Sequence, residues 1–219
     1  WMPSQGRRPV VTRSPRSYRA SMNTDLMALA LVCSLKASPA ESSSELLARQ
    51  VLDELAGHGA SGETVRVADY DVRPGVDDDM GGGDEWPAIL QKIRSADILV
   101  LATPTWLGNP SSIAQRVLER LDAQLSATDD EGRPAMFGKV ALVAVVGNED
   151  GAHKIVADMF QGLNDIGFTI PAQGCTYWNN EAMNPVDYKD LDETPSAVAS
   201  TNATAAANAA HLARLLRGA

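Results

Sequence analysis

Continuous apolar runs recur along the chain, each followed by a polar turn and then by a stretch in which apolar residues return every three or four positions. Leu26 to Cys33 is unbroken, the pattern of a strand buried on both faces. Ser42 to Ala56 follows as a helix with Leu47, Val51 and Leu55 on one face. Ser42 and Glu45 have capping-box spacing, and Gly57 closes the helix. Thr64 to Ala68 predicts a shorter strand. Arg73 to Gly83, with Pro74, its aspartates and Gly81-Gly82-Gly83, predicts a loop whose acids do not follow a calcium-loop pattern. Glu85 to Ser95 predicts a helix and Asp97 to Ala102 a central strand.

Asn109 as cap and Pro110 at the first position then predict a helix with the stripe Ile113, Val117, Leu118, Leu121 and Leu125. Lys139 to Val146 is a second central strand, and Gly151 to Ile166 a helix closed by Gly167. Phe168 to Ile170 begins a short last strand before Pro171. Tyr177 to Asp192 is polar and irregular, and Thr194 to Leu216 is an alanine-rich terminal helix. Strands alternating with helices predict an α/β protein, a parallel sheet covered on both faces.

Charge divides the chain. Residues 1–24 hold Arg7, Arg8, Arg13, Arg16 and Arg19 and no acid, and are expected to form a disordered basic extension. Residues 25–219 are expected to form one domain. With net charge −9 overall, and the positive charge of the extension set aside, that domain is strongly acidic and would repel a nucleic-acid backbone. No stretch is long enough to span a membrane. The arginines followed by Leu26 to Leu35 and Ala37-Ser38-Pro39-Ala40 loosely imitate a secretion signal. Asp25 and Lys36 interrupt that pattern, and cleavage there would remove the first strand, so a cytoplasmic location is expected. Cys33 and Cys175 are not expected to pair, and nothing demands a metal.

Candidate chemistry sits where three strands end. Ligands bind parallel sheets in the crevice outside the carboxyl ends of the strands. The first turn runs from Ser34 to Ser44 into a helix N-terminus, where free N–H groups favour an anion; its hydroxyls and Lys36 suit a phosphate, while Glu41 and Glu45 oppose one. It matches neither GxxxxGK[ST] nor GxGxxG. The second turn, Thr103-Pro104-Thr105-Trp106-Leu107-Gly108-Asn109-Pro110, offers a flat indole between stiff prolines and a glycine that lets backbone approach a ligand. Trp106 reads equally as a core anchor. The third, Val146-Gly147-Asn148-Glu149-Asp150-Gly151, carries acids suited to the start of a helix, followed by His153. No residue stands out as a catalytic acid, base or nucleophile.

These three segments, with Ser111, Ser112 and Ala152 beside them, resemble the flavodoxin-like FMN proteins, in particular the NADPH-dependent FMN reductase and quinone reductase branch. The resemblance implies a three-layer sandwich around a five-stranded parallel sheet of order 2-1-3-4-5, with FMN at the switch point between the first and third strands. It implies that Ser34, Lys36, Ser42, Ser43 and Ser44 hold the FMN phosphate. Pro104, Thr105, Trp106, Leu107, Gly108 and Asn109 would pass beside the ribityl chain and ring, and Gly147, Asn148, Asp150 and Gly151 would meet the polar edge of the ring. It further implies NADPH or NADH as reductant, a quinone or similar small molecule as acceptor, and a homo-oligomer, with Tyr177, Trp178 and the helix from Pro110 as candidate contacts. The first loop is longer than the short phosphate loop of electron-carrier flavodoxins. An electron carrier without reductase activity and a flavin-free scaffold remain the alternatives.

Overall fold

The computed structural model describes residues 26–182 and 184–218. The basic extension expected at residues 1–24 lies outside them. Five strands, β1 (Leu26–Val32), β2 (Ala60–Arg66), β3 (Ile98–Trp106), β5 (Val140–Gly147) and β6 (Cys175–Asn179), pair in parallel in the order β2-β1-β3-β5-β6. This is the expected 2-1-3-4-5 order. A two-residue strand, β4 (Asn109–Pro110), is added antiparallel to the end of β3.

Alternation along each strand feeds two separate cores. Leu29 and Leu31 of β1 face one core, built with α2 (Trp86–Ser95), α3 (Ser112–Leu121) and α4 (Ala152–Asp165). Ala28, Ala30 and Val32 face the other, built with α1 (Ser43–Gly57) and α5 (Ser196–Arg217). The buried stripe of α5 starts with Val198 and Asn202 and continues as Ala205, Ala206, Ala209, Ala210 and Ala213. Small side chains there let the helix axis approach the sheet and α1 closely. Among the described residues no helix is long and apolar enough to cross a membrane.

Three sequence expectations are corrected. The second strand begins at Ala60 rather than Thr64 and ends at Arg66, where a 3-10 turn, Val67–Asp69, takes over. As a sheet edge it tolerates the exposed Ser61, Gly62 and Glu63, which hide it from an apolar-run reading. The last strand is Cys175–Asn179, so Tyr177 and Trp178 lie within the sheet. Phe168 to Ile170 contributes only one bridge, Thr169 to Val140, before Pro171 removes a ladder donor. Finally, Ser111 rather than Asn109 caps α3, its Oγ accepting from Ala114 N at 3.1 Å. Leu107 (φ 50°) and Gly108 (φ 70°) are both left-handed, the signature of a tight two-residue hairpin, and fold Asn109 and Pro110 back onto Trp106 and Thr105.

Candidate flavin-binding cleft

The strand order brings the loops after β1, β3 and β5 side by side at the carboxyl ends of the three central strands. Ser111 fastens the first two together: its Oγ donates to Cys33 O at 2.6 Å, and its N–H donates to Thr103 Oγ1 at 3.0 Å. The second and third loops meet at glycines. A β-carbon on Gly147 would stand 2.8 Å from Thr105 Cβ, and one on Gly151 would stand 2.7 Å from Gly108 Cα.

Between the loops lies a cleft of about 480 Å3, within the range of small-molecule and cofactor sites. Ser34, Lys36, Ser42, Ser43, Ser44, Pro104, Thr105, Trp106, Gly147 and Asn148 all line it. Leu107, Gly108, Asn109, Asp150 and Gly151 stand outside the lining. Gly108 and Gly151 are taken up by their mutual backbone contact, Leu107 points to solvent at 89% exposure, and Asp150 Oδ1 accepts from Gly151 N at 2.7 Å. Asn109 Oδ1 accepts from Lys154 Nζ at 3.1 Å.

Hydroxyl and ammonium donors gather at the β1 side. Ser42 Oγ caps α1 by accepting from Glu45 N at 3.3 Å, and Ser34 Oγ donates to Lys36 O at 3.1 Å. Glu45, which the sequence set against an anion here, turns away to Arg49 and Arg66. Burial pushes its carboxyl up, but hydrogen bonds and charge from those two guanidinium groups outweigh this and hold it below its usual value. The carboxylate is thus already neutralised by partners within the protein.

Leu35, Glu41, Val146 and Glu149 of the three turns also line the cleft; beyond those turns, sequence reasoning missed Trp178, Asp187, Tyr188 and Lys189 as cleft residues. The last three arrive because the polar segment after β6 folds back. Asn148 Nδ2 donates to Asn184 O at 2.9 Å, Tyr188 Oη donates to Gln50 Oε1 at 2.6 Å, and Lys189 N donates to Ser43 Oγ at 3.3 Å. The only sequence signal was an aromatic and a lysine adjacent in a polar stretch. Lys189 adds a second ammonium to the cleft lining, shared with Asp190 at 2.7 Å, Glu41 at 3.9 Å and Asp187 at 4.0 Å; the Asp190 contact above all holds its pKa above the usual lysine value. Trp178, expected at a subunit surface, is buried against Tyr188, with ring centroids 5.3 Å apart.

The chain belongs to the NADPH-dependent FMN reductase family, whose sequence pattern matches residues 27–183. It is 33% identical over 204 residues to the 8-demethyl-8-aminoriboflavin-5'-phosphate synthase of Streptomyces davaonensis, covering 88% of this chain and 79% of that protein. It is also 35% identical over 186 residues to a protein of Mycobacterium bovis named divalent metal cation transporter MntH; the match covers 83% of this chain but spans only 27% of the length of that relative. Among solved structures, RosB with bound 8-demethyl-8-formylriboflavin-5'-phosphate superposes with a TM-score of 0.80 at 32% identity, over 88% of this chain and 81% of that one. The NADH:FMN oxidoreductase EmoB shares the fold, with a TM-score of 0.61 at 18% identity over 87% of this chain and 89% of that one.

FMN is the cofactor of the family, and a reduced nicotinamide its reductant. The residues present fit FMN. Hydroxyls and two ammonium groups suit its phosphate. Thr105 lines the cleft, and its Oγ1, buried beside it, has no hydrogen-bond partner among the described residues. Trp106, 52% exposed, offers apolar surface at the cleft to a ring.

Proposed function

We propose that this chain is an FMN-dependent oxidoreductase that carries electrons from NADPH or NADH through bound flavin to a quinone or a similar small acceptor. The observation that carries this reading is the convergence of the three strand-end loops on one cleft, with serine hydroxyls and the Lys36 ammonium on its β1 side and Trp106 on the β3 loop. When bound, FMN would supply the hydride and electron chemistry, which asks no acid or base of the protein. Ser34, Lys36, Ser42, Ser43, Ser44 and Lys189 would hold its phosphate. Pro104, Thr105 and Trp106 would line the ribityl chain and ring, and Gly147 and Asn148 would face the polar edge of the ring. The segment carrying Tyr188 shields the cleft from water on its β6 side. Leu35, Trp106 and Leu107 form an exposed apolar rim suited to coverage by a second copy of the chain, which size-exclusion chromatography with light scattering checks.

Titration of the purified protein with FMN tests the cofactor: the bound flavin spectrum is expected, and a protein that takes up no FMN overturns the reading. Oxidation of NADPH and NADH by the loaded protein with a quinone tests the reaction. A second reading, favoured by the likeness to the aminoriboflavin-phosphate synthase and to RosB, makes riboflavin-5'-phosphate the substrate. Mass spectrometry of the flavin recovered after incubation of the protein with riboflavin-5'-phosphate, an amino donor and oxygen separates the two: unchanged mass supports the reductase, and a changed ring the alternative.

A further inference from the structure

Two side chains at the end of β2 hold the loop between β1 and α1, and neither lines the main cleft. Arg66 is the register partner of Val32, the last residue of β1, so its side chain starts beside the root of that loop. It is buried, and its guanidinium donates to Ala40 O at 2.5 Å and to Lys36 O at 3.5 Å while pairing with Glu45. Three residues further on, Asp69 accepts from both Ser38 N at 2.6 Å and Ser38 Oγ at 2.8 Å. The loop is thereby pinned at Lys36, Ser38 and Ala40, on either side of the turn that leads to the Ser42 cap. Arg66 also compensates the one partly buried acid in the first turn of α1, where an uncompensated carboxylate would oppose an incoming phosphate.

Resting on the flavin reading above, we infer that Arg66 and Asp69 are positioning residues for the flavin 5'-phosphate: by fixing the loop and neutralising Glu45 they make the cleft select FMN over riboflavin. The ring and ribityl contacts come from the β3 and β5 loops, which neither residue touches. Removing the braces should therefore weaken the phosphate contacts alone.

The test is binding of FMN and of riboflavin, separately, to wild type, Arg66→Met and Asp69→Ala apoprotein by flavin fluorescence, with circular dichroism to confirm folding. Asp69 lies at the surface, so its variant keeps the fold even if Arg66→Met does not. Wild type should prefer FMN. Each variant should lose about tenfold or more in FMN affinity and change less than about twofold toward riboflavin, and hydrogen exchange should quicken at residues 34–42. Equal losses for both flavins in Asp69→Ala, or an undiminished FMN preference in both variants, overturn the inference while the flavin reading stands. A wild-type protein that binds neither flavin overturns the flavin reading and the inference together.

Discussion

Gly151 lies against Gly108 so closely that a β-carbon on Gly151 would come within 2.7 Å of Gly108 Cα and 3.0 Å of Gly108 O. The contact joins the hairpin after β3 to the turn before α4, and so fixes the relative height of two walls of the cleft. It is asymmetric: a β-carbon on Gly108 would meet only Asp150 O, at 3.7 Å.

Gly151→Ala should therefore cost more than Gly108→Ala. Gly151 has φ 125°, a conformation that alanine adopts only under strain, and its methyl group would strike backbone that cannot swing aside. We expect a loss of about 2–3 kcal/mol for Gly151→Ala, against about 1 kcal/mol for Gly108→Ala, whose φ of 70° is left-handed but uncrowded. Urea denaturation of the two variants side by side checks the order; equal midpoints would refute the close contact.

Arg120 and Asp84 form an ion pair at 2.7 Å with no exposed surface on either side chain. Arg120 also donates to Arg73 O at 2.8 Å and to Asp77 O at 2.7 Å, fastening the acidic loop before α2 to α3. Arg120→Leu leaves Asp84 buried without its cation and should destabilise by about 3–5 kcal/mol. Burial pushes the Asp84 carboxyl up, but hydrogen bonds from Met80 N, Arg73 N, Arg120 and Trp86 N outweigh this and lower it to about 2. Because the folded value lies below the unfolded one, this contribution is present above the ordinary carboxylate range and is lost as pH falls from about 5 toward 2. The urea midpoint of wild type should fall through that window, and that of Asp84→Asn should fall less steeply.

The central strands were legible because β1, β3 and β5 are covered on both faces and so read as unbroken apolar runs. The edges were not. β2 needs apolar residues only where it meets the core, and β6 follows a detour around Pro171 that no periodicity marks. Asn109-Pro110 carried a sound helix-start signal, yet the left-handed Leu107-Gly108 pair diverted it into a hairpin and left capping to Ser111. Within the cleft, residues adjacent in sequence to the strand ends were accessible to reasoning. Tyr188 and Lys189 were not, because their place depends on the long-range bonds to Gln50, Ser43 and Asn148 that fold their segment back. Arg66 was hidden for the same reason, its role arising from register with Val32.

Cys33, at the end of β1, is buried, and loss of solvation pushes its thiol far above the ordinary value; half-buried Cys175 is pushed up for the same reason. An aromatic disulfide reagent at pH 8 should leave Cys33 unmodified in the native protein and label Cys175 more slowly than a free thiol. Both should react after unfolding in urea. Rapid native labelling of both thiols would show that the β1 loop opens far more readily than its packing allows.

Thr105 separates what the fold needs from what a ligand needs. Its side chain packs beside Gly147, where a β-carbon would come within 2.8 Å of Thr105 Cβ, while its hydroxyl is buried beside the cleft with no hydrogen-bond partner among the described residues. A buried hydroxyl without a hydrogen bond is destabilising, so replacing it by a methyl group of the same shape should leave the apoprotein as stable as wild type, or more stable by up to about 1 kcal/mol. If the hydroxyl bonds FMN, the same change removes one hydrogen bond from the complex and should weaken FMN binding about three- to tenfold. Thr105→Val is therefore expected to raise or hold the apoprotein Tm and to lower the increment in Tm that FMN adds. A variant that loses apoprotein stability would show that the hydroxyl serves the fold. One with unchanged FMN affinity would show that the ligand makes no bond to it.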